Sequence, residues 1–122
     1  MKSLWKSKVA SLILLVGVAV ATPSMAKEAP QLSDRTFRTV NKVQELIATE
    51  KYSAAKEKLT SALDSTKSKK YDRAVLLQQT GFLYSLQDNY AQAAKYFAEA
   101  LKLDALPVPV AQQVRYSLAQ LY

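Results

Sequence analysis

The chain has 122 residues with 17 Lys and Arg against 10 Asp and Glu, and it contains no Cys and no His. Disulfides are therefore excluded, and the commonest general base and a leading metal ligand are missing. With no phosphate-cradling glycine loop either, the residues carry no sign of catalysis; no enzyme, no cofactor and no metal site is expected.

The first segment has three parts. Lys2, Lys6 and Lys8 make a basic start, Val9–Ala21 is an uncharged apolar run, and Thr22-Pro23-Ser24-Met25-Ala26 closes it with a helix breaker and a small-x-small pattern. This is the layout of a secretory signal peptide, with cleavage expected after Ala26. The apolar run is short against the roughly 20 residues that span a bilayer, so no stable membrane insertion is expected once residues 1–26 are removed. A bacterial signal of this kind implies a periplasmic protein. Removing Lys2, Lys6 and Lys8 takes the basic count from 17 to 14 against 10 acids, a charge of about +4. That excess is modest and scattered, which argues against nucleic acid as a partner.

Residues 27–33 read as a flexible, polar lead-in, and 34–122 as one helical domain. Helices are expected at about Asp34–Thr49, Tyr52–Ser65, Asp72–Gln87, Tyr90–Leu103 and Pro109–Tyr122. In the fourth, Tyr90, Ala93, Phe97 and Ala100 fall three, four and three residues apart, on one helical face with Leu101 beside them. Asn89 stands ready to cap that helix with Gln92 in a box-like pair, and Lys67, Lys69 and Lys70 are placed to face the negative end of the second helix. Pro107 and Pro109 end one helix and start the next.

The segments repeat. Tyr52, Ala55, Leu59, Ala62 and Leu63 match Tyr90, Ala93, Phe97, Ala100 and Leu101 at a constant offset of 38, and Leu46 and Tyr122 lie one offset either side of Tyr84. Helix-turn-helix self-similarity of this kind marks an α-solenoid. The fold expected is all-α, a short solenoid of antiparallel helix pairs with about two and a half repeats, at about 36–69, 74–107 and a half repeat 109–122.

The stretch Leu77–Ala105 resembles a tetratricopeptide repeat (TPR) through Leu77, Thr80-Gly81 and Tyr84 on its first helix and Ala93, Phe97 and Ala100 on its second. Thr80 stands where the motif has Leu, and Ala105 where it has Pro. The first repeat departs further, with Val43 in the Gly slot and Leu59 in the aromatic slot. Gly81 costs a helix interior about 1 kcal/mol relative to Ala, which is tolerable if Ala93 packs against its bare backbone.

The resemblance implies a concave surface lined by the first helices, where such proteins hold extended peptides or partner helices. Its positions are Phe37, Val40, Asn41, Gln44 and Ile47 on the first, Val75, Gln78, Gln79, Phe82 and Ser85 on the third, and Gln113, Tyr116, Ser117 and Gln120 on the fifth. Amides bond peptide backbones and aromatics anchor them. The bland alternative is that these are ordinary exposed helix residues, with Phe82 partly core. Where the carboxylate-clamping subclass carries key basic residues, this chain has Val40, Gln78 and Tyr116, so no carboxylate clamp is expected. The segment Ala105–Tyr122 also resembles periplasmic TPR proteins associated with TonB–ExbB–ExbD systems, which implies a role as an accessory of energy transduction.

Two rival readings remain open. Val110, Val114, Leu118 and Leu121 form an apolar stripe on the last helix, extended by Ala111, Ala119 and Tyr122. That helix is either a cap against Tyr90–Leu103 or the opening of a longer array, the second being favoured, and it makes the chain a candidate for homo-oligomer formation or for a passive structural repeat. A membrane-surface protein would need a helix with one basic and one apolar face, and the helices here mix acids with bases.

Overall fold

The computed structural model describes residues 30–122, and the expected signal peptide, residues 1–26, lies outside them. The described residues form five α-helices and no strand: α1 (Asp34–Ala48), α2 (Tyr52–Ser65), α3 (Lys70–Leu86), α4 (Tyr90–Lys102) and α5 (Val108–Gln120). Each packs on its neighbour in sequence, and α3 also touches α1. The result is the short helical repeat expected of a TPR-like chain.

The repeat extends to individual hydrogen bonds. At the end of α1, the Lys51 N–H donates to Leu46 O at 2.8 Å and the Glu50 N–H to Ile47 O at 3.0 Å. At the end of α3, 38 residues on, Asn89 donates to Tyr84 O at 2.9 Å and Asp88 to Ser85 O at 3.1 Å. Such six-to-one and five-to-two pairs form a Schellman turn, which needs one left-handed residue. Glu50 (φ 60°) and Asp88 (φ 61°) supply it, although neither is Gly. The two hairpins therefore turn alike even where their side chains differ.

The caps follow local chemistry. Ser33 precedes α1 in an extended conformation and its hydroxyl accepts from the Thr36 N–H; Asn89 Oδ1 accepts from the Gln92 N–H at the start of α4. Pro107 and Pro109 sit where α5 begins and where no intrahelical donor is needed.

Two apolar clusters share α3. Val40, Val43 and Leu46 of α1 meet Ala55 and Leu59 of α2 and Leu76 and Leu83 of α3. Ala93 and Phe97 of α4 meet Val114 of α5, with Leu101, Leu106, Val110, Leu118 and Leu121 packed around them. Phe82 packs against both clusters and joins the hairpins.

Several expectations need correction. Val40 and Ile47 are core residues, not surface lining. Tyr90 leaves the packing face: it is half exposed and its hydroxyl donates to the Asp88 carboxylate at 2.9 Å. Leu32 and Ser33, placed in the flexible lead-in, are held, Leu32 by the first cluster and Ser33 by Asp72. α3 begins two residues before its expected start and takes Lys70 into its first turn. The negative end of α2 is met instead by Arg73, whose Nη1 donates to Leu63 O at 2.9 Å.

Gly81 of α3 meets α4 at Phe97, whose ring atoms are the nearest to the place its Cβ would take, where Ala93 was expected. A Cβ added there would stand 2.8 Å from Cδ1 and Cε1 of Phe97. The bare backbone makes room for an aromatic ring, while Ala93, fully buried, packs beside that ring in the second cluster.

Candidate functional site

The face expected to bind partners divides into three kinds of residue. Phe37 is 56% exposed and Tyr116 67%, so both present aromatic area to solvent. Asn41, Gln113 and Gln120 are exposed, and Gln44, Gln78 and Gln79 are half-buried. Phe82, Val75 and Ser85 are half-buried; Phe82 and Val75 pack on the core, and the Ser85 hydroxyl donates to Gly81 O at 3.2 Å. The free aromatic surface therefore comes from α1 and α5, whereas the α3 aromatic joins the clusters.

One amide stands out. Gln79 Oε1 is buried with no hydrogen-bond partner among the described residues. An unsatisfied buried acceptor of this kind costs about 1–3 kcal/mol.

The repeat markers do structural work. Leu77 and Ala100 are buried with Ala93 and Phe97. Thr80, in the slot the motif gives to Leu, is also buried, and its hydroxyl donates to Leu76 O at 2.7 Å within α3. Tyr84 stacks on Tyr96 with ring centroids 5.5 Å apart, and Lys56 of α2 places Nζ 5.3 Å from the Tyr84 centroid. Burial first, then the neighbouring Tyr84 and Glu99, hold the Tyr96 hydroxyl above its usual pKa. Sequence reasoning passed over Tyr96; its spacing of twelve from Tyr84 gives no helical-face signal across a turn.

It also passed over the first turn of α3. Asp72 is buried and accepts from the Ser33 hydroxyl at 2.6 Å and the Ser33 N–H at 3.3 Å. Burial pushes its carboxyl up, but bonds from the Ser33 and Thr36 hydroxyls and the Ser33 N–H, with Lys69 nearby, outweigh that and leave it below the ordinary Asp value. The 38-residue offset exceeds the roughly 34-residue TPR period by about one helical turn. That extra turn holds Asp72 and Arg73, which tie α3 to the start of α1 and the end of α2. A composition reading sees only a basic connector there.

Among the described residues no cluster of acidic, His or Cys side chains could hold a metal ion, and no helix is long and apolar enough to cross a membrane.

Fold and surface together define a helical-repeat protein of TPR-like architecture. No protein-family profile matches the chain, and no solved structure matches it. Over 78 residues it is 33% identical to the mouse protein "Trafficking protein particle complex subunit 12", a match covering 64% of this chain and 9% of that protein. The chain thus spans only a small part of that relative.

Proposed function

We propose that the chain is a protein-interaction module, holding a peptide or helix of a protein partner against the face shared by α1, α3 and α5. The observation that carries this reading is the exposed pair Phe37 and Tyr116 on α1 and α5, with the exposed amides Asn41, Gln113 and Gln120 on the same two helices. Amides aligned by the repeat can bond successive backbone groups of an extended peptide, and the two aromatics give rigid anchor area at either end. The likeness to a segment of a protein named as a complex subunit fits a module of this kind.

A photo-crosslinking side chain placed at Asn41 or Gln113 should capture one and the same partner, while one at Glu99 on α4 should not. Changing Phe37 and Gln78 to Ala together should cut capture about tenfold without loss of helicity, the scale of one anchor at an interface. Equal capture from all three sites, or unaltered capture by the double variant, would place binding elsewhere.

The finer context we propose is periplasmic, as an accessory of TonB–ExbB–ExbD systems. Its support is the signal-like residues 1–26 and the resemblance of the segment Ala105–Tyr122; the mouse relative adds nothing to it. Recovery of a chain starting at Lys27 from the periplasmic fraction tests the compartment, and capture of a TonB-system protein tests the partner.

Self-association is a second reading, favoured by exposed Val108, Tyr116 and Tyr122 on and beside α5. Sedimentation equilibrium decides it: a monomer at high concentration removes it.

A further inference from the structure

The two hairpins differ in one packing detail that opens a second surface. In the second, Gly81 admits Phe97 against bare backbone. One offset earlier stand Val43 and Leu59, both fully buried. A β-branched residue stands where the other hairpin has Gly, and α1 and α2 pack less extensively on each other than α3 and α4 do. Between them lies an open groove of about 520 Å³, lined by Arg35, Thr36, Thr39, Lys58, Ser61 and Ala62 among others.

The repeat shows what such a place is for. Arg35 and Lys58 correspond, 38 residues on, to Arg73 and Tyr96. Both counterparts belong to the side of the second hairpin that α2 covers. Arg73 Nη1 donates to Leu63 O in the last turn of α2, and Tyr96 stacks on the Tyr84 ring over which α2 lays Lys56. The groove on the first hairpin therefore lies, one offset back, beside the place where α2 packs on α3.

We propose that this groove docks an amphipathic α-helix of a protein partner, with an acidic flank, whose last carbonyls are met by Arg35. The small walls, Ser61, Ala62 and the two threonines, let a helix come near, so the bulk must come from the guest. A helix C-terminus carries partial negative charge and unpaired carbonyls, which Arg35 is placed to take as Arg73 takes them from α2. The acidic flank follows from Lys58. Where the second hairpin places Tyr96 beside the Tyr84 ring that Lys56 covers, the first places the Lys58 ammonium, which favours a carboxylate opposite. Residues 30–73 carry ten Lys and Arg against six Asp and Glu, whereas 74–122 carry three of each, so the positive excess lies at this end. Glu57 on the same rim limits where that carboxylate can sit. This surface is separate from the amide face, and its test does not depend on that reading.

The probe is a fluorescent, hydrocarbon-stapled peptide copying Tyr52–Thr66 with Lys56→Glu; the staple is needed because a helix this short is marginal in water. Fluorescence anisotropy with the chain should show saturable binding below about 100 µM. The peptide that keeps Lys at position 56 should bind about tenfold more weakly, as should Arg35→Glu and, independently, Lys58→Glu chains of unchanged circular dichroism. Gln113→Ala should bind the acidic peptide as the parent chain does. No saturation by about 1 mM, or equal affinity in both charge-reversed chains, overturns the proposal. So does concentration-dependent dimerisation of the parent chain that Arg35→Glu abolishes, since the groove would then belong to a second copy.

Discussion

The backbone of Gly81 lies beneath the ring of Phe97 so closely that a Cβ at residue 81 would stand 2.8 Å from two ring carbons. Phe97 is 5% exposed and shares its cluster with Ala93 and Val114, so the ring has little room to retreat. Gly81→Ala gains about 1 kcal/mol of helix propensity and incurs overpacking of about 1–3 kcal/mol. The expected outcome is a net loss of stability of about 1 kcal/mol by urea denaturation. Gly81→Val should lose more, and Gly81→Val with Phe97→Leu, which recreates the Val43 and Leu59 pair of the first hairpin, should recover part of it.

Asp72 makes stability depend on acid. Its folded pKa lies below the unfolded value, because the hydrogen bonds from Ser33 and Thr36 outweigh the effect of burial. Its contribution is therefore fully present above the unfolded value near 4 and is lost as pH falls through the folded value. Denaturation midpoints should be flat between about pH 7 and 5 on this account and decline below about pH 4. Asp72→Asn should cost about 1.5–3 kcal/mol at neutral pH, the scale of a hydrogen bond to a charged group, and should make the acid decline shallower. An unchanged acid slope in the Asn variant would remove Asp72 from this role.

The left-handed turn residues give an ordered series. Asp88 holds φ 61° in the Schellman turn after α3. Left-handed backbone costs most L-residues about 1–2 kcal/mol, Asp somewhat less, and Gly nothing. Melting temperatures should follow Gly ≥ Asp > Val at position 88, with Val lower than Asp by about 4–8 °C for a loss near 1 kcal/mol.

The backbone of this fold was largely legible in the sequence, and the reasons are physical. Offsets such as Tyr52 to Tyr90 and Ala62 to Ala100 pointed to a repeat, and the structure repeats down to the bond from Lys51 to Leu46 and its copy from Asn89 to Tyr84. Helical ends erred by one or two residues, as at Lys70, because nothing in the side chains caps α3. Contacts across the repeat were less legible. Periodicity puts Tyr90 and Ala93 on the same face as Phe97, but it cannot tell which side chain reaches Gly81, nor that Tyr90 turns outward to Asp88. On the expected surface the amides are exposed or half-buried, whereas Phe82 packs on both clusters, since a residue on an exposed helical face of one hairpin can still lie between two hairpins. Asp72 and Arg73 were hidden for a different reason. They act across 39 and 10 residues of chain, and polar partners at such separations leave no periodic trace.

Arg73 joins that hidden layer to the repeat itself. Its bond to Leu63 O adds a second donor to a last-turn carbonyl of α2 that otherwise accepts only the long bond from the Thr66 N–H at 3.4 Å. Its charge also sits at the negative end of that helix. Arg73→Met keeps the apolar stem and removes both effects, so it should cost about 1 kcal/mol, with faster amide exchange in the turn 63–66 that follows. Arg73→Lys retains the charge and should lose less. Should Met and Lys behave alike, the planar bond is what matters; should neither differ from Arg, α2 is held by Leu59 and its cluster without help from its end.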